Sequence, residues 1–207
     1  VVVKNIVVLD YGSGNLRSAQ RAVERVGAQV TVTADRDAAI EADGLLIPGV
    51  GAYAACMDGL LGVGGDRIVS ERIRRGRGLL AICVGMQILF DLGVEHGDRT
   101  RGLGVLPGAV ERLDAPVLPH MGWNTVDVAA DSRLFGGIDT GTRFYFVHSY
   151  AAPASVELRR IAAVTTSRHG TEFAAAVEAG VVSATQFHPE KSADAGAELL
   201  RNWLSTL

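Results

Sequence analysis

Short apolar runs alternate along the first half of the chain with segments whose apolar residues recur at helical spacing. Residues 6–9 form an unbroken, largely β-branched run, the pattern of a strand covered on both faces. After the turn Tyr11-Gly12-Ser13-Gly14-Asn15, the residues Leu16, Ala19, Val23 and Val26 lie on one helical face, and Gly27 supplies a stop. A second strand is predicted over 29–33. A third, 45–47, runs into Pro48-Gly49-Val50-Gly51. A helix follows over 66–75, and a fourth strand, 79–82, delivers Cys83. Strand and helix in alternation predict a mostly parallel central sheet flanked by helices.

The second half has a different texture. Four strands are predicted over 144–147, 160–165, 173–177 and 181–187, with Gly170 and Gly180 marking turns between them. This part is antiparallel in character. A last helix over 193–204 aligns Ala197, Leu200 and Leu204. No repeat, low-complexity tract or linker interrupts the pattern. The expectation is one α/β domain over 1–207, with an antiparallel part added to the parallel sheet. Its ligand would bind at the C-terminal ends of the strands.

Hydrophobic residues make up 48% of the 207 positions and charged residues 21%, enough for a full core and too balanced for disorder. The net charge of -3, with no basic stripe, argues against nucleic acid as a partner. The one basic cluster, Arg72, Arg74, Arg75 and Arg77, fits a helix C-terminus complementing the macrodipole, with Gly76 and Gly78 ending the helix. Two cysteines are too few for a disulfide framework and suit a reducing, cytoplasmic setting. The N-terminal run from Val1 to Leu9 is broken by Lys4 and Asn5 and is too short to span a membrane, so a soluble chain is expected.

Candidate chemistry centres on two places. Cys83 sits where an apolar strand meets Val84-Gly85-Met86-Gln87, and the small residues Ala81 and Gly85 permit a tight strand-to-helix turn of the nucleophile-elbow type. A helix start behind the sulfur would favour negative charge there, and the Val84 N–H could face a developing oxyanion. The alternative is a buried core cysteine, the role assigned to Cys56. The second place is Gln186-Phe187-His188-Pro189-Glu190. Pro189 favours extended geometry at His188, and in an extended chain His188 and Glu190 share a face, so the carboxylate could orient the imidazole. The alternative is a surface histidine beside an unrelated glutamate. The loop 48–51 is either a second source of oxyanion N–H groups or a plain turn. The turn 11–15 carries only part of a dinucleotide fingerprint, with Arg17 at the third glycine position, so nucleotide binding is not expected. His96, His120, His148, His169 and His188 are dispersed along the sequence, and no metal-ligand spacing is present.

The string 81–87 followed by His188-Pro189-Glu190 resembles the triad-type (class I) glutamine amidotransferases, in the family's order and over nearly the whole chain. Ala81 departs from the glycine frequent at that elbow position. Further strings, Asp10 through Asn15, 48–51, His120-Met121-Gly122-Trp123-Asn124 and Tyr145-Phe146-Val147-His148-Ser149-Tyr150, are similar to the histidine-biosynthesis branch of that family. The resemblance implies a Cys83-His188-Glu190 triad acting through a glutamyl thioester, with oxyanion N–H groups from Val84 and from Val50 or Gly51. It implies glutamine contacts at Gly49, Gly51, Gln87, Glu95, Ser149 and Tyr150, and no cofactor. It further implies a heterodimer with a (βα)₈-barrel cyclase subunit that takes the ammonia and makes imidazole glycerol phosphate and an aminoimidazole carboxamide ribotide. Asn15, Met121, Trp123, Tyr145 and Lys191 would face that partner. Taken as plain side chains, Met121, Trp123 and Tyr145 fit core packing equally well. The rival readings are a glutaminase subunit serving anthranilate or pyridoxal phosphate synthesis, a stand-alone cysteine γ-glutamyl hydrolase, and a catalytically silent binding subunit.

Overall fold

The most apolar runs of the chain become the middle of the main sheet. The computed structural model describes residues 3–207; Val1 and Val2, the start of the N-terminal apolar run, lie outside the described residues. The first half folds as β1 (Asn5–Leu9), α1 (Leu16–Arg25), β2 (Gln29–Thr33), α2 (Arg36–Glu41), β3 (Gly44–Gly49), α3 (Tyr53–Gly62), α4 (Gly65–Arg74), β4 (Leu79–Cys83) and α5 (Val84–Gln87). Every residue of β3 and β4 is buried, which requires both faces of the sheet to be covered.

The chain then continues through β5 (Phe90–Glu95), β6 (Asp98–Arg101), β7 (Leu106–Arg112), β8 (His120–Thr125), β9 (Arg143–His148), β10 (Tyr150–Ala151), α6 (Val156–Ile161), β11 (Ala163–His169), β12 (Thr171–Ala179) and β13 (Val182–Thr185). A 3₁₀ turn (Pro189–Lys191) and α7 (Ala193–Ser205) follow. The seven-stranded sheet runs β11-β12-β13-β4-β3-β1-β2. Its strands β2, β1, β3, β4 and β13 are mutually parallel, while β11 and β12 add an antiparallel edge. A four-stranded sheet, β10-β7-β5-β6, and the ribbon β8-β9 complete the molecule. The parallel sheet with an antiparallel addition is the architecture the sequence predicts.

Three local readings change. Residues 160 and 161 end α6 instead of opening a strand. Ser155 caps that helix by accepting the Leu158 N–H at 3.2 Å, Glu157 sits in its first turn, and Arg159 and Arg160 sit in its last. The helices α2 and α3 and the strands β5 to β8 and β10 are additional elements. The short α2 is held by Asp35, whose carboxylate accepts the Ala38 N–H at 2.7 Å. The basic cluster also divides. Arg74, Arg75 and Arg77 pair with Glu71 and Glu41 at the surface, as expected of a helix end. Arg72 instead turns inward and is fully buried. Its guanidinium donates to the carbonyls of Ala39, Ile40, Ala42, Asp43 and Gly78 at 2.6–3.1 Å, closing the C-terminus of α2.

Candidate active site

Cys83 ends β4 and immediately precedes α5, with φ 56° and ψ -115°. A non-glycine residue held in that region is strained, and the surrounding structure must enforce it. The enforcement is visible at two glycines. A Cβ added to Gly85 would stand 2.0 Å from the Ile47 carbonyl oxygen, and one added to Gly49 would stand 2.2 Å from the Gly85 nitrogen. The end of β3 and the start of α5 therefore pack backbone against backbone, which only glycine at both positions allows. Ala81 pairs with Ile47 on one side and Ala184 on the other within the sheet, so the elbow forms with alanine in place of glycine. As the first residue of α5, Val84 has an N–H with no acceptor inside the helix.

His188 follows β13, the strand that pairs directly with β4. Its backbone is extended, as Pro189 requires (φ -102°, ψ 97°), but the extension stops there: Glu190 lies on the 3₁₀ turn. The turn, not an extended strand, brings the pair together, with His188 Nδ1 2.7 Å from Glu190 Oε1. Ser192 secures the arrangement by donating its hydroxyl to the His188 carbonyl at 2.7 Å and accepting the Tyr145 N–H at 2.9 Å. The two side chains are almost completely buried, 1% and 2% exposed. Burial alone would push the imidazole pKa down. The Cys83 sulfur and the Glu190 carboxylate outweigh it and raise His188 to about 9. The other ring nitrogen, Nε2, is buried and has no hydrogen-bond partner among the described residues.

Cys83 and His188 open onto one cavity of about 570 Å³, whose wall also includes Val50, Gly51, Val84 and Gln87. Glu95, Ser149, Tyr150 and Lys191 line it as well. Gly49 does not. It is buried beneath the wall, against Gly85. The Val50 N–H is taken by Ser13 Oγ at 2.9 Å, while the Val50 carbonyl accepts from Cys56 Sγ at 3.3 Å and Tyr11 donates its hydroxyl to the Pro48 carbonyl at 2.5 Å. Cys56 thus lies under the loop 48–51, its thiol pKa raised by burial.

The remaining predicted residues separate into two groups. Met121 and Trp123 of β8 are 63% and 50% exposed. Trp123 pairs with half-buried Tyr145 of β9, their rings 5.9 Å apart. Core packing does not account for these residues, and the ribbon carries them as an apolar row beside the cavity. Asn15 is instead occupied within the chain, donating to Glu190 Oε1 at 2.7 Å.

Several site residues are not evident from spacing alone. Fully buried Gln186 donates to Cys83 Sγ at 3.7 Å and accepts from Gln87 Nε2 at 3.0 Å, and Gln87 also donates to the Tyr150 carbonyl at 2.9 Å. The signal present in the sequence was a polar Gln186 at the end of the apolar-rich run 181–187, two residues before His188. Arg112 and His148 also reach the cavity. The histidines dispersed in sequence partly converge in space: His148 Nε2 lies 3.0 Å from His120 Nδ1, and His120 stacks on His169 with ring centroids 4.3 Å apart. Among the described residues, no group of three or more His, Cys, Asp or Glu could hold a metal ion. A larger cleft of about 770 Å³ lies at the opposite end of the sheet, near Gly78 and Val181, and contains no cysteine or histidine. No helix among the described residues is long and apolar enough to cross a membrane.

A strained cysteine beside a carboxylate-held imidazole, with the Val84 N–H free of any acceptor inside its helix, can carry out acyl transfer. Comparison with known proteins agrees with that chemistry. The family model "Glutamine amidotransferase class-I" matches residues 7–207. The imidazole glycerol phosphate synthase subunit HisH of Mycolicibacterium paratuberculosis is 65% identical over 204 residues, covering 99% of this chain and 98% of the relative. The subunit of the same name from Nocardia farcinica is 61% identical over 209 residues, covering 99% of each. Among solved structures, a glutamine amidotransferase superposes with a TM-score of 0.74 at 22% identity, covering 96% of this chain and 97% of that one. The structure of PurLQS from Thermotoga maritima superposes with 0.73 at 18%, covering 99% of each. At such identities these two establish likeness of fold.

Proposed function

This chain belongs to the class-I glutamine amidotransferases, and on that premise we propose that it is the glutaminase subunit of imidazole glycerol phosphate synthase in histidine biosynthesis. It hydrolyses glutamine to glutamate and passes the ammonia to a cyclase subunit. His188 takes the Cys83 thiol proton as Sγ attacks the side-chain carbonyl carbon of glutamine, and Val84 N–H, with an N–H of the loop 48–51, stabilises the oxyanion. The C–N bond breaks, and His188 supplies the proton with which ammonia departs. Water then hydrolyses the glutamyl thioester, with His188 accepting its proton. Glu190 holds the imidazole in orientation throughout. Gly51, Gln87, Glu95, Ser149 and Tyr150 bind glutamine, whereas Gly49 acts through the close packing that shapes the elbow. The observation that carries this reading is the meeting of Cys83 and His188 at one cavity, with the imidazole held by Glu190 at 2.7 Å.

The partner is a (βα)₈-barrel cyclase, docked on the face that exposes Met121 and Trp123, with Tyr145 and Lys191 at its border. The cytoplasm is the compartment. Because the Val50 N–H is engaged by Ser13, the loop 48–51 must turn, or offer Gly51, before it can serve the oxyanion. We expect the chain alone to release little glutamate and the complex with its nucleotide ligand to release far more, since one missing oxyanion donor costs about 10²–10³ in rate. Equal turnover in the two states would overturn the conditional loop. Undiminished turnover by Cys83→Ala in the complex would overturn the nucleophile assignment.

A further inference from the structure

We propose that Asn15 is a positioning residue that fixes the Glu190 carboxylate, an inference that rests on the triad reading above. Asn15 Nδ2 donates to Glu190 Oε1 at 2.7 Å, joining residues 175 positions apart. The same oxygen lies 2.7 Å from His188 Nδ1, while Glu190 Oε2 is buried with no hydrogen-bond partner among the described residues. Terminal carboxylate torsions are soft, so a carboxylate held by one donor can rotate and exchange its oxygens. Two donors on one oxygen, from different directions, set its plane, and with it the imidazole that it orients.

Two features separate Asn15 from an ordinary helix cap. It precedes α1 in a left-handed conformation, φ 70° and ψ 14°, and its side chain makes no capping bond. Asparagine is among the strongest N-cap residues, yet this one directs its amide to Glu190 and leaves its own helix uncapped. The same turn reaches the other wall of the site, where Ser13 Oγ accepts the Val50 N–H. One short segment thus touches both the triad carboxylate and the loop 48–51.

The substitutions that test this preserve the backbone. Asn15→Gly keeps the left-handed turn and deletes the donor. Asn15→Asp keeps the shape and tolerates the same turn, but sets a carboxylate against Glu190. A role confined to the turn leaves both near wild type. Positioning predicts that Asn15→Gly lowers kcat about ten-fold, as expected for a lost hydrogen bond to a charged group, with KM for glutamine nearly unchanged. It predicts a larger loss for Asn15→Asp near pH 8. The ratio of Asn15→Asp to wild-type activity then rises as pH falls toward about 5.5, because two carboxylates at hydrogen-bonding distance share a proton, and that proton rebuilds the bond.

The experiment is steady-state glutamate release by the assembled complex across pH. Complex integrity is checked by size exclusion and folding by thermal melting, with Glu190→Gln as the control. Wild-type kcat in Asn15→Gly and a flat pH ratio for Asn15→Asp, with Glu190→Gln inactive, overturn the inference and leave the triad standing. Full activity in Glu190→Gln overturns the triad reading and this inference together. Should the glycine variant fail to fold, the pH ratio of the aspartate variant decides.

Discussion

Replacing Gly85 with alanine separates the placement of the elbow from the mere presence of its cysteine. Gly85 lies in α5, where alanine is intrinsically the better helix former by about 1 kcal/mol, so propensity alone predicts a gain in stability. The packing predicts the opposite. The new Cβ would stand 2.0 Å from the Ile47 carbonyl oxygen, 3.1 Å from its carbon and 3.3 Å from the Pro48 carbonyl carbon, and side-chain carbons essentially never approach within 3.0 Å. The strand β3 cannot yield, because it is fully buried and hydrogen-bonded between β1 and β4. The elbow must therefore retreat by about 1 Å, carrying Cys83 while His188 stays anchored beyond β13. A shift of about 1 Å in a reacting group can cost on the order of 10² in rate. Overpacking adds a stability loss of about 1–3 kcal/mol. Glutamate release by the assembled complex measures the first effect, and urea unfolding of the isolated chain measures the second. A kcat/KM within about three-fold of wild type, with an unchanged unfolding midpoint, would refute the claim that this backbone contact sets the position of the sulfur.

Two further predictions concern stability. Arg72→Met keeps much of the side-chain volume but removes the donors to five carbonyls, and should destabilise the fold by about 3–5 kcal/mol in urea unfolding while the surviving folded protein keeps its activity. His120 and His148 are pushed down from 6.5 to about 4 and about 3, chiefly by burial, so the unfolded chain binds more protons than the folded one below pH 6.5. Their contribution is complete above that pH and is lost as pH falls through about 4 for His120 and about 3 for His148. Unfolding midpoints measured from neutral pH downward should show this decline, and His148→Gln should flatten it.

The centre of the parallel sheet was legible because β1, β3 and β4 are built on nearly unbroken apolar runs. Buried on both faces, they have no polar face to encode, and 45–47 and 79–82 correspond to β3 and β4 with small changes at the ends. The elbow was legible for a related reason: Ala81 and Gly85 flank Cys83, and small residues beside a reactive one imply tight packing. That His188 and Glu190 lie close was also readable, although through an extended chain instead of the 3₁₀ turn. What sequence order conceals is long-range pairing. Asn15 reaches Glu190, Gln186 reaches Cys83, and His120 meets both His148 and His169, in each case across many residues. The ribbon β8-β9 shows a second limit. Its apolar residues alternate, but alternation cannot say whether the face bearing Met121 and Trp123 is covered within the chain, and here it is not.

The central claim, that this cavity frees ammonia from glutamine for use by a cyclase partner, is tested most directly by following the nitrogen. The complex is supplied with glutamine carrying heavy nitrogen in its side-chain amide, together with the cyclase's nucleotide substrate and an excess of unlabelled ammonium at neutral pH. The account predicts heavy nitrogen in imidazole glycerol phosphate with little dilution, and none when Cys83→Ala replaces the wild-type chain. Product that carries the unlabelled nitrogen, or label that still arrives with Cys83→Ala, would contradict it.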